Sequence, residues 1–184
     1  MIDLLDLHKY FILRHLKEGD TAIDFTMGNG HDTEFLSKTV GETGHVYAFD
    51  IQQQAIDSTS KHLKEAGCFE NYTLIHDSHH KVKEYVHEKF KAGMFNLGWL
   101  PGGDKSIYTL RKTTLPAIES ALDLMDKDAI LNIAIYPGHE EGDLEGKMVV
   151  EYLSTLSKYK FACTRVNILN SKSSPYFIMV ESHE

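Results

Sequence analysis

The chain has 184 residues, 42% hydrophobic and 25% charged, enough for one well-buried globular domain and too few for two ordinary ones. Its formal net charge of −8 argues against a general nucleic-acid-coating surface, although a local basic patch could still hold one RNA. No apolar run approaches the roughly 20 residues of a membrane span, and the N-terminus lacks a signal-peptide pattern. The two cysteines, Cys68 and Cys163, lie far apart without a CxxC spacing, so a cytoplasmic protein with reduced thiols and no metal site is expected.

In chain order, apolar residues at Leu4, Leu7, Phe11 and Leu16 predict a helix over 3–17, with Gly19 as its C-cap. Thr21–Phe25 reads as a strand buried on both faces. A turn carrying Gly28 and Gly30 follows, then a helix over Asp32–Thr39 with Asp32 as its N-cap. His45–Phe49 predicts a second strand ending at Asp50, followed by a helix from Gln53 to Ala66. Tyr72–Ile75 is a third strand, running out at His76-Asp77-Ser78, and His80–Phe90 a crossover helix. Met94–Leu97 is a fourth strand, and a glycine-rich loop extends to Lys105. A helix begins at Thr113 or Thr114, with Pro116 in its first turn, and ends at Met125. Ala129–Tyr136 is a fifth strand and Leu144–Ser157 a helix; Lys160–Asn167 and Tyr176–Glu181 form a closing pair of strands. Alternation of this kind implies one α/β domain over 1–184, with a mostly parallel sheet, helices on both faces and an antiparallel strand near the end.

Ligands of such sheets lie beyond the carboxyl ends of the strands, where strand order reverses. Asp50, twenty residues after Gly30, is placed to accept hydrogen bonds from both ribose hydroxyls of a nucleoside. The dinucleotide fingerprint fails, because Thr33 stands where it needs Gly or Ala. A phosphate-binding loop closed by Gly-Lys-Ser/Thr is also missing. Asp24 and Asp32 bracket the turn with negative charge, which repels a pyrophosphate by a few kcal/mol at about 4 Å and intermediate dielectric. A ligand bearing ammonium and sulfonium groups is attracted instead. The residues therefore favour S-adenosylmethionine over NAD or ATP.

The run Asp24-Phe25-Thr26-Met27-Gly28-Asn29-Gly30-His31-Asp32-Thr33 resembles the first motif of a small bacterial class I methyltransferase family labelled as rRNA methylases. Asn96-Leu97-Gly98-Trp99-Leu100-Pro101-Gly102-Gly103-Asp104-Lys105 is similar to its second hallmark and Tyr136-Pro137-Gly138-His139-Glu140-Glu141-Gly142 to its third. Asn170 to Phe177 matches its C-terminal loop and strand. The resemblance implies a seven-stranded Rossmann-like fold, and methylation of the aminomethyl group of 5-aminomethyl-(2-thio)uridine at the tRNA wobble position.

Carried onto this chain, the resemblance implies that Asp24, Thr26, Gly28 and Gly30 face the methionine end of the cofactor. Asp50 then holds the ribose, with Ile51 against the adenine, and Asp77 and Ser78 meet the adenine ring and amino group. Thr33 and Gln52 complete that set, whereas Asn29, His31 and Asp32 contact the cofactor or simply cap the helix. Asn96 contacts the cofactor and aims the substrate amine. Trp99, Leu100, Pro101, Gly102, Lys105 and Tyr136 form the substrate side, with Trp99 stacking on a base. Asp104 and His139 are the candidates to take the amine proton.

Lys81, Lys83, Lys105, Arg111, Lys112 and Lys172 could frame a basic rim for a tRNA anticodon stem-loop, and the resemblance implies a homodimer. Two other readings compete: a methyltransferase of rRNA or a small amine with the same cofactor site, and a non-catalytic nucleotide-binding module.

Overall fold

In this computed structural model residues 4–104, 106–137, 140–171 and 173–183 are described; Lys105, His139 and Lys172 fall outside them. Seven strands are present: β1 (Thr21–Asp24), β2 (His45–Asp50), β3 (Tyr72–His76), β4 (Phe90–Leu97), β5 (Met125–Ile135), β6 (Phe161–Val166) and β7 (Tyr176–Ser182). They form one sheet in the order β3-β2-β1-β4-β5-β7-β6. The first five pair in parallel, while β7 runs antiparallel to both β5 and β6. The α/β sheet with antiparallel closing strands is the one expected from the alternation of elements.

Among the described residues six helices accompany the sheet: α1 (Leu4–Ile12), α2 (His31–Val40), α3 (Gln53–Glu65), α4 (Val82–Tyr85), α5 (Arg111–Leu124) and α6 (Glu140–Ser154). Successive strand residues point to opposite faces, and the two faces collect separate apolar layers. Ile23, Phe25, Phe95 and Leu131 pack with Val82 of α4, Ile118 of α5 and Val149 of α6. Ala22, Val46, Met94 and Phe177 pack with Ile12 of α1 and Leu36 of α2 on the other face. Directly beneath the carboxyl ends of the central strands, Phe25 stacks on Phe95 with centroids 4.1 Å apart and planes within 6°. Phe49 and Phe90 flank Phe25 at 6.4 and 6.2 Å. Among the described residues no helix is long and apolar enough to cross a membrane.

The elements depart from the sequence expectations in ways the packing explains. The helix expected over His80–Phe90 is only a 3-10 turn at His79–Lys81 followed by the single turn of α4. Val82, Val86 and Phe90 recur every fourth residue like a helical stripe, and all three are buried. Yet Val86 is extended, with φ −111° and ψ 116°, and Phe90 opens β4 opposite Met125. Burial in the sheet overrides the helical period there. Helix α1 stops at Ile12, and Gly19 caps nothing on it; its N–H bonds the Val40 carbonyl at the end of α2 instead. Asp32 is not an N-cap: Gly30, in the left-handed region at φ 87°, occupies that place and Asp32 falls in the first turn. Helix α5 starts at Arg111, which moves Pro116 from the first turn into the helix interior. Strand β5 likewise starts early, at Met125, and α6 is shifted towards the N-terminus.

Phe95 is fully buried and stacked on Phe25 at the centre of this aromatic group. Phe95→Ala is therefore expected to cost about 3–5 kcal/mol, read as a lowered urea midpoint at unchanged m-value.

Candidate active site

Strand order reverses between β1 and β4, so the loops leaving these two strands diverge to opposite faces and leave a crevice. Asp24 ends β1, fully buried. One of its oxygens accepts the Thr26 N–H at 3.1 Å and the other the Thr33 hydroxyl at 2.6 Å. The carboxyl thus ties the strand end to the helix beyond the turn. Gly28 and Gly30 make that turn with φ 53° and 87°, in the region that favours glycine. A Cβ on Gly30 would also stand 3.0 Å from Thr59 of α3, which packs against it.

Asn96, near the end of β4, is fixed from three sides. Its N–H donates to the Thr26 hydroxyl at 2.7 Å, its side-chain nitrogen donates to Asp32 at 2.7 Å, and Tyr136 donates to Oδ1 at 3.4 Å. Because Asp32 can only accept, the amide orientation is set, and Oδ1 is the edge offered on the other side. Asp32 also lies 3.8 Å from Lys9 of α1.

Burial and the neighbouring Asp32 carboxylate push the Asp24 pKa up to about 7. Burial also raises that of Asp50, although Gln52 N–H and Gly28 N–H donate to its two oxygens. Asp77 behaves oppositely: hydrogen bonds from Lys81 and Tyr85 pull it to about 2. Burial lowers His79 to about 4, so it is neutral and donates from Nδ1 to the Phe25 carbonyl at 3.1 Å.

Two clefts open along this crevice. The first, about 320 Å³, is lined by Thr26, Gly28, Asp50, Ile51, Gln52, Asp77, Ser78 and Asn96 under a cover of Trp99, Leu100 and Pro101. The second, about 440 Å³, is lined by Met27, Asn29, His31, Asp32, Asn96, Trp99 and Tyr136, with His8 and Lys9 of α1 at its edge. Volumes of this order suit small-ligand sites. The cover is held in place: Asn29 donates to the Pro101 carbonyl at 3.1 Å, and Trp99 bridges to Tyr108. Buried Glu145 accepts the Thr109 and Thr114 hydroxyls, anchoring the returning limb of the loop to α6.

Most residues expected from sequence gather here, but several stand differently. Trp99 does not: 39% exposed, it stands at the mouth, on the side expected for substrate. Leu100 is buried, while Gly102 and Asp104 are exposed and line neither cleft. Asp104 accepts the Ser106 N–H, a bond that holds its pKa below the ordinary range, which makes it a poor base as placed. Asp24 and Thr33 sit beneath the turn, brace it and line neither cleft. Lys105 and His139 lie outside the described residues. The basic rim is weaker than expected, since Lys81, Lys83 and Arg111 are each paired to a carboxylate. Sequence reasoning missed His8, Lys9, His79 and the Ile107–Thr109 limb. Ile107-Tyr108, apolar residues directly after the glycine-rich run, carried the one usable signal; His8 and Lys9 look like any amphipathic helix.

This strand order, with a glycine turn after β1 and acids at successive strand ends, defines the Rossmann-like S-adenosylmethionine-dependent methyltransferases. The chain belongs to one family of them, described as "Putative rRNA methylase", whose model matches residues 46–181. A Clostridium thermocellum crystal structure with the same description is 38% identical, with TM-score 0.96 over 99% of this chain and 98% of that one. A Streptococcus mutans methyltransferase in complex with SAH is 35% identical, with TM-score 0.90 and 99% of both chains covered. The chloroplastic tRNA (mnm(5)s(2)U34)-methyltransferase of Arabidopsis thaliana is 37% identical over 182 residues, covering 92% of this chain. The chain spans 65% of that relative's length.

The raised pKa of Asp24 has a consequence for stability. Its contribution is fully present below the ordinary carboxyl value of 3.8 and is lost as pH rises through about 7, because the folded state resists ionising it. Denaturation of wild type and Asp24→Asn is to be compared from pH 4 to pH 8. Wild type is expected to lose up to a few kcal/mol relative to the variant, at ~1.4 kcal/mol for each pH step between the ordinary and the raised carboxyl values. Parallel profiles would refute the assignment.

Proposed function

We propose that the protein is an S-adenosylmethionine-dependent N-methyltransferase that acts on the aminomethyl group of 5-aminomethyl-(2-thio)uridine at wobble position 34 of tRNA. The product is 5-methylaminomethyl-(2-thio)uridine. Family membership and the activity named for the Arabidopsis relative support the reading. The observation that carries it is the Asn96 amide, oriented by Asp32 and standing in the wall shared by the two clefts.

The residues fit the cofactor. Backbone N–H groups of Gln52, Gly28 and Ile51 hold the Asp50 carboxylate, whose remaining acceptor capacity serves the ribose hydroxyls. Ile51 and Ser78 line the same cleft for the adenine. Asp77 is committed to Lys81 and Tyr85, so it meets the adenine through whatever lone pairs those bonds leave. Asp24 and Asp32 make the turn attractive to a sulfonium and an ammonium group. The cofactor, when bound, supplies an electrophilic methyl group.

The acceptor amine belongs in the second cleft, where the Asp32 carboxylate draws in its ammonium form. Asn96 Oδ1 then accepts an N–H of the neutral amine and fixes the direction of its lone pair. Trp99 and Pro101, over both clefts, exclude water and stack against the base. Apolar surroundings favour the neutral amine. For the departing proton we retain His139, carried from the sequence, in preference to exposed Asp104. The enzyme works in the cytoplasm as a homodimer that broadens its platform for the anticodon stem-loop.

Incubation with labelled S-adenosylmethionine and tRNA bearing the unmethylated aminomethyl nucleoside should place label on the wobble uridine. Label on rRNA or on small amines instead would overturn the substrate. Asn96→Ala should lower turnover by about 100-fold and weaken cofactor binding much less, since its main loss is the alignment of the amine although it also lines the first cleft. Asp50→Ala should weaken cofactor binding in calorimetry by about 100-fold, the loss of two charge-assisted hydrogen bonds.

A further inference from the structure

His31 opens α2, Glu34 follows one turn later, and His62 projects from α3, which packs beside α2. The i, i+3 spacing puts the first two side chains on one helical face. His62 Nε2 lies 2.6 Å from Glu34 Oε2, and the His31 and His62 rings meet edge to face with centroids 4.6 Å apart. One ligand atom from each of the three, two imidazole nitrogens and a carboxylate oxygen, all lie within 4.8 Å of one another. Among the described residues no other three His, Cys, Asp or Glu side chains come together in this way. Donors around a tetrahedral ion with bonds of about 2.0–2.2 Å stand roughly 3.4 Å apart. Side-chain rotation alone can therefore close the set.

The backbone beneath the trio is tied down by contacts of its own. Thr59 of α3 donates to the Gly28 carbonyl at 3.0 Å and packs on Gly30, so α3 is seated on the turn. His62, one turn after Thr59, is thereby held opposite His31, the residue directly after Gly30. Glu34 Oε1 is bound by Lys38 at 2.6 Å, which orients the carboxylate and leaves Oε2 towards His62. Outer partners of this kind are what hold metal-binding carboxylates in place.

We propose that His31, Glu34 and His62 bind one divalent transition metal ion of the zinc class, bridging α2 and α3 at the rim of the second cleft. Two imidazoles and a carboxylate, with no thiolate, suit Zn²⁺, Co²⁺, Ni²⁺ or Cu²⁺, whereas Mg²⁺ and Ca²⁺ prefer oxygen donors. Three protein ligands leave a coordination position, and the exposed His31 opens it to solvent. The bound ion replaces the His62–Glu34 hydrogen bond with a cross-link between two helices. It braces the Gly30–His31 corner.

Co²⁺ is the probe. Titrated into the chelator-treated full chain, it should give visible d–d absorption that saturates at one equivalent and is displaced by Zn²⁺. His62→Gln keeps a hydrogen bond to Glu34 but withdraws the imidazole, and Glu34→Gln withdraws the carboxylate; each should weaken Co²⁺ binding at least tenfold, taking about 10–100-fold as the effect of losing even an outer partner. His87→Ala, an exposed histidine in the loop after α4, should bind as wild type does, and circular dichroism confirms that the variants fold. Zn²⁺ should raise the Tm of wild type and not of His62→Gln. Saturable binding of equal strength in wild type and both ligand variants, or none in wild type, overturns the site.

Discussion

Asp24 has no exposed surface, yet both its oxygens are committed to the chain leaving β1, one to the Thr26 N–H and one to the Thr33 hydroxyl. The Thr33 bond spans the glycine turn, and the Thr26 bond fixes the chain as it enters. The turn's other bonds, such as Gly30 N–H to the Met27 carbonyl and Gly28 N–H to Asp50, do not tie the end of β1 to α2. Burial of a carboxylate is unfavourable unless its lone pairs are satisfied. Asp32 and Asp50 add repulsion. The arrangement is therefore under electrostatic tension that a positively charged ligand relieves. An isosteric neutral residue would hold the turn and forgo the attraction.

From that corner the constraint spreads outward. The Thr26 hydroxyl receives the Asn96 N–H, so the end of β1 positions the end of β4. Asp32, in the first turn of α2, accepts from the Asn96 side chain and turns its carbonyl outward. Gly28 reaches Asp50 through its N–H and Thr59 through its carbonyl, which links β2 and α3 to the same few residues. The stacked Phe25–Phe95 pair lies immediately below, so the polar corner rests on an apolar floor that resists deformation.

Much of this was legible in the sequence, for identifiable reasons. The strands carry continuous apolar runs, the glycines mark turns, and Asp50 falls at a strand end, all of them local patterns. Where tertiary packing decided, the local pattern misled. Val82, Val86 and Phe90 repeat like a helix although Phe90 belongs to a strand. Asp32 looks like a cap, but Gly30 already makes the turn and frees Asp32 to hold Asn96. Lys81, Lys83 and Arg111 read as free positive charge, yet their acidic partners come from the preceding turn, from α5 and from α6. The His31–Glu34–His62 trio joins residues 28 positions apart in sequence, and no spacing rule brings His62 to α2. Only the seating of α3 on the turn does so.

Thr26, Gly28, Asn96, Gly98, Trp99 and Pro101 line both clefts. A partition with two working faces cannot adjust to an occupant on one side without altering the other. By thermodynamic reciprocity, the factor by which an occupant of the first cleft changes affinity in the second equals the factor in the reverse direction. The hold of one cleft's occupant on the other's and the reverse hold are then a single quantity. The Asn29–Pro101 hydrogen bond, which fastens the partition to the glycine turn, helps to set its size. One loosened contact there would weaken the coupling between the two clefts.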